Sequence, residues 1–519
     1  MTLQNEATLL TKIAKIAGIL VLLNLLSRVL GFVRNMVIAA EFGATGHTDA
    51  YMVAYSLPYA LQAVLGVAFL AVIVPIITAY LVKDDVNEAW KVANIVFNWT
   101  FVILIGITLL GIVLAPQIIT ILAGGFDEET RKLAIDLTRI IFPSVIFMGV
   151  GMLVAGILNA KGIFGITAFA PAFANIIVII AVVTLAGRYG VHGLAAGTVV
   201  AFIGFLLIQL PSLKKTGFKW KWDWDRTHPA VITAGATIFP LILAISINQI
   251  HLAVNRIFAS GLEPGSITVL DFAYSLMALP LGVFVAAIAT IIFPAFSRCV
   301  ANDDKEGLAK TLVMGIALVS LIAIPAAAGL MVVREPLIQI TFERGLFNAY
   351  DTARMAVALW YFSLGLWAVG ANTVVARAYY SFRNIRVPLI AGLICALLNV
   401  LFSMALLPHL GHGGLALSNS LASIINATLL LVIFRKYLPN LNFTQLVVPL
   451  VKAIVAAGVM AVTLTAIIPH IREFLNPDFL GRVMELTILV VLGCIIYIIM
   501  LFLMKTKELE LIKKMFKRE

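Results

Sequence analysis

Long apolar runs recur along the whole chain and restrict its fold more than any other feature. Runs of about 20 residues, the length that a helix needs to cross a bilayer, alternate with short polar loops. Of the 519 residues, 62% are hydrophobic and 12% are charged. The charged share is about half that of a soluble domain. The pattern therefore predicts an all-α polytopic membrane protein and excludes a soluble enzyme, a nucleic-acid-binding protein and a disordered scaffold.

The hydropathy pattern predicts about 14 transmembrane helices by the 20-residue rule. The runs are continuous and lack the alternation of barrel strands, so a β-barrel is not expected. The predicted spans are 14–40, 50–81, 92–116, 132–157, 164–187, 191–213, 230–258, 267–297, 308–332, 352–379, 387–407, 412–434, 446–469 and 483–504.

Lysine and arginine are unequally divided between the two sides that these spans define. With the N-terminus inside, most basic loop residues fall on the inner side, together with the basic residues of the C-terminal tail. The positive-inside rule then predicts that both termini are cytoplasmic. Topology and attraction to anionic lipid explain the net charge of +11, so no nucleic-acid partner is expected.

Two segments outside the spans have patterns typical of a membrane interface. Residues 505–519 place apolar side chains on one helical face, which predicts an interfacial tail helix, with a frayed polar end as the alternative. Residues 219–225 read KWKWDWD, and the alternation of tryptophan with charge predicts an interfacial loop with tryptophan anchors.

An internal repeat appears when the chain is compared with itself at an offset of about 222 residues. Arg34 and Asp49 are 15 residues apart, and so are Arg256 and Asp271. The motif YGVHGLAAG recurs as LGHGGLALS at an offset of 221 residues. Because these matches include Arg, Asp, Pro and Gly at the same spacing in both halves of the chain, we prefer a true repeat to chance similarity between apolar helices.

The repeat predicts two six-helix lobes, residues 1–218 and 230–437, followed by two extra helices in residues 446–504. Six is an even number, so both lobes enter the membrane from the same side. This is a parallel repeat, related by an axis along the membrane normal. Two such lobes with a cavity between them would suit alternating access.

Several charged residues fall inside predicted spans. Charge at the bilayer centre costs about 2.5–3.5 kcal/mol on insertion scales, so such residues usually face a cavity or a partner. We expect Arg28, Arg34 and Arg256 to line a cavity between the lobes and bind an anion, because the planar guanidinium donates two hydrogen bonds to phosphate. The alternatives are ion pairs, Arg34–Asp49 and Arg256–Asp271, or side chains that reach to the interface.

Other polar groups give a less specific pattern. Asn255 precedes Arg256 and is a further candidate for substrate binding. Asn399, Ser403 and Asn419 form a thin polar seam that could hold a sodium ion, although hydrogen bonds between packed helices are the preferred interpretation. No metal-ligand spacing, nucleotide-binding motif or catalytic motif is present, so neither a cofactor nor an enzymatic activity is predicted.

At SRVLGFVRN (27–35), TDAYMVAYSLP (48–58) and FERGLFNAYDTA (342–353) the sequence resembles the lipid II flippase family MurJ (MviN). That family belongs to the multidrug/oligosaccharidyl-lipid/polysaccharide exporter superfamily. The likeness covers nearly the whole chain. It implies transport of a lipid-linked peptidoglycan precursor from the inner to the outer leaflet of a bacterial cytoplasmic membrane.

The resemblance also implies roles for particular residues. Arg28, Arg34 and Asp49 match functionally important cavity residues of the family. Gln62 and Ser275 stand where many members have arginine. Fewer cavity cations are therefore expected than in the usual pattern, and Arg256 is expected to compensate.

The resemblance further implies a groove for the polyprenyl tail in residues 446–504. The implied partners are lipid II, membrane lipids and the cell-wall synthesis machinery. Some members have a sodium site, but Ser403 stands where a carboxylate is expected. Coupling to sodium and coupling to the membrane potential therefore both remain open. The alternative functions are a flippase for another polyprenyl-linked oligosaccharide and a drug/cation antiporter of the same superfamily.

Overall fold

The computed structural model describes the backbone of residues 3–438, 443–476 and 478–506, and these residues form helices and no strand. The predicted all-α class is therefore confirmed. The helices are α1 Leu3–Phe42, α2 Gly46–Val82, α3 Val86–Val113, α4 Ala115–Leu122, α5 Glu128–Ile141, α6 Ser144–Ala160, α7 Gly165–Leu207, α8 Leu210–Lys215, α9 Pro229–Ser260, α10 Ser266–Pro280, α11 Ala286–Ala301, α12 Lys305–Thr341, α13 Ala349–Leu364, α14 Leu366–Ser381, α15 Arg386–Leu410, α16 His412–Phe434, α17 Phe443–Phe474 and α18 Phe479–Leu503. A π-helical turn, Leu281–Val285, joins α10 to α11.

If α10, the π-helical turn and α11 count as one helix, ten helices of the described chain are long and apolar enough to cross a membrane, or twelve if each of two bent helix pairs also counts as one span. Two predicted spans, 164–187 and 191–213, are joined in α7, which is interrupted at Gly190. In α9 the apolar stretch among the described residues is Pro229–Ile238, which is shorter than a full span. The multi-pass architecture is confirmed, whereas the number fourteen stays a prediction.

Tertiary contacts divide the chain into a first unit, Met1–Ile267, and a second unit, Thr268–Glu519. The predicted repeat assigns α9 to the second lobe, because the lobe begins at residue 230. By its contacts α9 belongs to the first unit, where it packs against α2, α3 and α4. Chain repeat and packing therefore divide the molecule at different residues.

Matched irregularities in the two units follow the offset of the sequence repeat. The break between α5 and α6 bends the chain by 41°, and the break between α13 and α14 bends it by 42°. Gly190 has φ 55° and ψ −142°, and Gly411, 221 residues later, has φ 54° and ψ −134°. A backbone with positive φ favours glycine, which explains why the Gly motif is repeated at these two points.

Each unit has its own apolar core. In the first unit, Phe69 and Ile73 of α2 pack with Leu153 and Ile157 of α6. In the second unit, Met460 of α17 belongs to a cluster that also includes residues of α12 and α18. The two C-terminal helices thus pack on α12, and most of the predicted tail helix, 507–519, lies outside the described residues.

Candidate anion-binding cavity

A cavity of about 480 Å³ lies within the first unit, among α1, α2, α6 and α7. Three predicted site residues line it: Arg28 and Arg34 from α1, and Gln62 from α2. No aspartate or glutamate is among its lining residues in the described part of the chain. The cavity wall therefore carries two formal positive charges and no compensating carboxylate.

The guanidinium of Arg34 is held in one orientation by neighbouring amides. Its Nη1 donates to Oδ1 of Asn175 at 3.1 Å, and its Nη2 donates to Oδ1 of Asn35 at 3.1 Å. Its central carbon lies 5.7 Å from the centroid of the Tyr55 ring, a cation–π distance. These neutral partners fix the side chain without neutralising it.

A tyrosine stripe on α2 forms one wall of the cavity. Tyr51, Tyr55 and Tyr59 are four residues apart, so they lie on one helical face, and successive ring centroids are 5.9 and 5.6 Å apart. The Tyr51 hydroxyl hydrogen-bonds the Thr198 hydroxyl at 2.9 Å. We did not predict this stripe from the sequence, although the spacing in DAYMVAYSLPY indicates a shared face.

Asn175 of α7 hydrogen-bonds α1 at two points, through its side-chain oxygen and its side-chain nitrogen. Its Oδ1 accepts from Arg34, and its Nδ2 donates to the backbone carbonyl of Ser27 at 3.3 Å. A Cβ added to Gly31 would lie 3.5 Å from that Nδ2, so α1 and α7 approach closely here. Asn175 was also missed, because nothing local in the sequence marks it.

Arg28 has a different environment from Arg34. It is exposed, and it makes no hydrogen bond or ion pair with any residue that the structure describes. A cation of this kind is free to meet an anion that enters the cavity. The wall thus combines one fixed guanidinium with one that has no competing partner.

Asp49 is not among the residues that line the cavity. Its carboxylate is 2% exposed and accepts a hydrogen bond from the Gly265 backbone N–H at 2.7 Å, which joins the start of α2 to the loop before α10. Within the described residues, no ion pair forms between Arg34 and Asp49. The predicted alternative in which these two side chains neutralise each other is therefore wrong.

The remaining predicted site residues lie elsewhere in the chain. Asn255 and Arg256 are near the end of α9, half-buried, and do not line this cavity. Ser275 belongs to the second unit, where its hydroxyl donates to the Phe272 carbonyl at 2.7 Å. A common site for all the predicted residues stays a prediction, and so does the Arg256–Asp271 pair.

A larger groove, about 760 Å³, lies within the second unit. Its walls come from α12, α13, α14, α16 and α17, and most are apolar. Arg334, Glu335 and Arg472 also line the groove, and Arg472 donates to Glu485 at 2.8 Å. Among the described residues α17 lines the groove, whereas α18 supports α17 from behind without lining it.

The polar seam of α15 and α16 is buried in the second unit. Asn399 and Ser403 are fully buried, and within the described chain their side chains have no hydrogen-bond partner. Asn419 is 7% exposed. The described residues contain no group of three or more His, Cys, Asp or Glu able to hold a metal ion.

Comparisons with known proteins identify what the chain is similar to. The family described as "Lipid II flippase MurJ" matches residues 38–485. A "Probable lipid II flippase MurJ" of Vibrio cholerae is 31% identical over 437 residues, spanning 82% of this chain and 83% of that protein. A "Lipid II flippase MurJ" of Burkholderia cenocepacia is 30% identical over 452 residues, spanning 84% of this chain and 87% of that protein.

Solved structures share the fold. One described as lipid II flippase MurJ in an inward closed conformation has a TM-score of 0.79 at 24% identity, over 93% of this chain and 97% of that chain. An inward-facing multidrug resistance MATE transporter has a TM-score of 0.68 at 15% identity, over 80% of this chain and 95% of that chain.

Proposed function

The chain belongs to the lipid II flippase family MurJ, and we propose that it moves lipid II from the inner to the outer leaflet by alternating access, with the pyrophosphate bound at Arg28 and Arg34. It is a multi-pass protein of the bacterial inner membrane whose activity is transport. The substrate is not chemically changed, so the residues have only to bind it, shield its charge and release it.

The observation that carries the proposal is the uncompensated positive charge of the cavity. Two arginines line it, and no carboxylate lies among its described lining residues. Keeping such charge at membrane depth costs about 2.5–3.5 kcal/mol per residue, a cost that an anionic substrate would offset. Because the fork of a guanidinium can donate two parallel hydrogen bonds to phosphate oxygens, arginine suits a pyrophosphate better than lysine does.

The two arginines would have different tasks. Arg34 is pre-oriented by Asn35 and Asn175, so less side-chain entropy is lost when it meets a phosphate oxygen. Arg28 makes no bond with the described residues and can follow the substrate. The tyrosine hydroxyls and Gln62 would add neutral hydrogen bonds to the second phosphate or to the sugars.

The polyprenyl tail requires an apolar path. We assign it to the groove of the second unit, which Leu450, Ile454 and Ile468 of α17 help to line. The tail would remain in contact with lipid along this groove while the head group crosses through water. The support for this assignment is the apolar wall and the position of α17 within residues 446–504.

For coupling we prefer the membrane potential to a sodium ion. Asn399 and Ser403 offer two buried neutral oxygens, and the residues that the structure describes contain no group of three or more His, Cys, Asp or Glu that could hold a metal ion. These residues fit a sodium ion poorly, so we derive no step through one. An anion that moves outward travels down an inside-negative potential, which supplies about 2.3 kcal/mol per charge per 100 mV.

The same proposal includes fourteen spans and two cytoplasmic termini. Counting α7 as two spans on either side of Gly190, and α9 as one, adds two spans to the twelve that the helices can already supply. Lys214, Lys215, Lys219 and Lys221 then lie on the cytoplasmic side. Enzymes that make and use lipid II on the two sides of the membrane are proposed as further partners.

The two alternative functions make different demands on the cavity. An antiporter for cationic drugs would need acidic cavity residues, and the described lining of this cavity contains none. A flippase for another polyprenyl-linked oligosaccharide would use the same arginines. Only the identity of the transported head group separates that alternative from lipid II transport.

Reconstitution into vesicles tests the proposal. Purified protein is mixed with lipid II, with an undecaprenyl pyrophosphate carrying a different glycan, and with a cationic dye, and the movement of each across the bilayer is measured. We expect lipid II to cross and Arg34→Gln to abolish that movement. Arg188→Gln, which changes an exposed arginine outside the cavity, serves as the matched control. Normal lipid II transport by Arg34→Gln would overturn the assignment of the site.

A further inference from the structure

The first unit contains a second cavity, which has no role in the proposed transport of lipid II. It is a slot of about 470 Å³ between α2, α3 and α9. Its walls are almost entirely aliphatic and aromatic, with Leu65, Phe69, Ile103 and Ile238 among them. The only charged residue in its described lining is Arg226, from the loop before α9.

Arg226 carries a positive charge that no acidic neighbour neutralises. Its guanidinium lies 5.6 Å from the centroid of the Trp99 ring, and it forms no ion pair with the described residues. The adjacent Asp225 is engaged elsewhere: Thr227 donates to it through its hydroxyl and backbone N–H, and Lys91 lies 3.4 Å away. The bonds from Thr227, followed by Lys91, lower the pKa of Asp225 below its usual value. This carboxylate therefore stays charged, and its oxygens already accept from Thr227 and Lys91.

Trp99 adds a hydrogen-bond donor at the same place. Its ring lines the slot, and its indole Nε1–H is buried with no acceptor among the described residues. A buried donor without a partner lowers stability, so a ligand atom that accepts from it is expected. Arg226 and Trp99 together offer a cation and a neutral donor at the slot.

The loop that carries Arg226 is tied to α3 by side-chain hydrogen bonds. We call residues 218–228 the strap. The Asn94 side chain donates to the Lys219 carbonyl and accepts from the Lys221 N–H, while Asn98 donates to the carbonyls of Lys221 and Asp223. Two buried asparagines thus replace the backbone pairing that the strap lacks, and they fix the position of Arg226 relative to the slot.

The strap presents a ladder of tryptophan rings next to basic side chains. Ring centroids are 4.6 Å apart for Trp220 and Trp222, and 5.6 Å apart for Trp222 and Trp224, and all three residues are exposed. Trp224 in turn meets Trp99 edge-on at 5.3 Å. Exposed tryptophan beside lysine is typical of the headgroup layer of a membrane, which assigns the strap and the Arg226 end of the slot to the depth of a lipid headgroup.

We propose that the slot holds an acyl chain of an anionic phospholipid, with its phosphodiester bound by Arg226 and an oxygen accepting from Trp99 Nε1–H. The aliphatic walls suit a hydrocarbon chain, and the single cation suits the phosphate that such a chain carries. With Lys219, Lys221 and Arg226 against Asp223 and Asp225, the strap keeps a net positive charge, which favours a headgroup with net negative charge over a zwitterionic one.

The bound lipid would support the helix that forms the substrate cavity. Leu65 and Phe69 of α2 line the slot, while Gly66 and Leu70, one residue further along, line the arginine cavity. Successive residues are about 100° apart on a helix, so the lipid and the substrate would contact adjacent faces of the same two turns of α2. Occupancy of the slot is expected to stabilise the packing of α2 with α9.

Lipid binding by the full-length protein in detergent tests the proposal without any transport assay. Native mass spectrometry is used to titrate phosphatidylglycerol, phosphatidylcholine and glycerol phosphate, which has the headgroup without the chains. We expect tight retention of one phosphatidylglycerol, weaker retention of phosphatidylcholine, and no retention of glycerol phosphate. Retention of glycerol phosphate alone would overturn the role of the slot.

Three variants test the charge, the slot and the indole donor separately. Arg226→Gln is expected to weaken phosphatidylglycerol binding about tenfold, as the loss of a charge-assisted hydrogen bond predicts. Gly235→Leu should abolish binding, because a Cβ at Gly235 enters open space and a leucine would fill the slot. Trp99→Phe, which keeps an aromatic ring but removes the indole N–H donor, should give an intermediate loss.

The matched controls are Lys215→Gln, a basic residue outside the slot, and Gly187→Leu, an exposed helical glycine that also faces open space. Both should bind phosphatidylglycerol like the wild type. The thermal unfolding of each variant is measured in parallel, so that loss of lipid is not confused with loss of fold. Wild-type affinity in both Arg226→Gln and Gly235→Leu would refute the proposal.

Discussion

The guanidinium of Arg34 donates to the side-chain oxygen of Asn175 at 3.1 Å, although 141 residues separate the two positions in the chain. The bond joins α1 to α7 across the cavity of the first unit. Because the acceptor is an amide rather than a carboxylate, Arg34 is oriented but keeps its full charge for an incoming anion.

The Arg34–Asn175 bond predicts losses of different size for two substitutions of the asparagine. Asn175→Ala should weaken lipid II binding about tenfold, because a hydrogen bond to a charged group contributes about 1.5–3 kcal/mol and positions the guanidinium. Asn175→Asp should weaken it further, because the new carboxylate would pair with Arg34 and compete with the pyrophosphate. Binding to purified protein is the measurement, and wild-type affinity in Asn175→Asp would contradict this account.

Substitution of the arginines by lysine tests the importance of the planar fork. Arg34→Lys keeps the charge but cannot bond to Asn35, Asn175 and a phosphate in the same geometry, so we expect a loss of about tenfold or more in transport. Arg28→Lys should cost less, because Arg28 has no fixed partner among the described residues. Equal losses for the two lysine variants, measured in the same vesicles, would argue against separate tasks.

Because we assign the polyprenyl tail to the groove of the second unit, the effect of filling this groove on lipid II transport should depend on the length of that tail. Gly458 lines the groove, and a Cβ there meets nothing within 4 Å, so Gly458→Leu should fill the groove without a clash. Transport of lipid II with its full polyprenyl chain should fall, while a short-chain analogue should cross at the wild-type rate. Gly187→Leu is the control, and an equal loss for both chain lengths would exclude the groove as the tail path.

Removal of the Asp49 carboxylate is expected to lower the stability of the protein, and replacement of Asp49 by asparagine is expected to lower it less. The buried carboxylate accepts from the Gly265 N–H at 2.7 Å, and Asp49→Ala would leave that donor unsatisfied at a cost of about 1–3 kcal/mol. Asp49→Asn keeps an acceptor oxygen and should lose less. Thermal unfolding in detergent measures both. A wild-type melting temperature in Asp49→Ala, with lost lipid II binding, would restore Asp49 to the substrate site.

The sequence alone predicted what depends on composition and local spacing. The all-helical class follows from the apolar runs. Arg28 and Arg34, whose charge falls inside a predicted span, line one cavity of the first unit together with Gln62, which the resemblance to the family had indicated. A cavity between the two lobes stays a prediction. The tyrosine stripe of α2 could have been predicted as well, because its members are four residues apart on one face.

The partners that decide each role could not be predicted in the same way. Asp49 is 15 residues from Arg34 in the chain, and this spacing suggested an ion pair; its observed partner Gly265 is 216 residues away. The sequence around Asn175 does not indicate its bond to Arg34 either. Tertiary packing selects among polar groups that the sequence presents as equivalent, so long-range contacts have to be seen before a charged residue is called structural or functional.

The loop before α10 gives the sharpest prediction for stability, because one glycine there meets two separate demands. Gly265 has φ +86°, and an added Cβ would lie 1.9 Å from the Ala44 carbonyl oxygen, a backbone atom that cannot move aside. Gly162 also has positive φ, at +75°, but an added Cβ there meets nothing within 4 Å. Gly162→Ala should therefore cost only the conformational strain, about 1–3 kcal/mol. Gly265→Ala should lower the free energy of unfolding by more than about 4 kcal/mol. A loss of this size should prevent the protein from accumulating in the membrane. Membrane levels and unfolding temperatures of the two variants measure the difference, and equal values would contradict the role of the contact between Gly265 and Ala44.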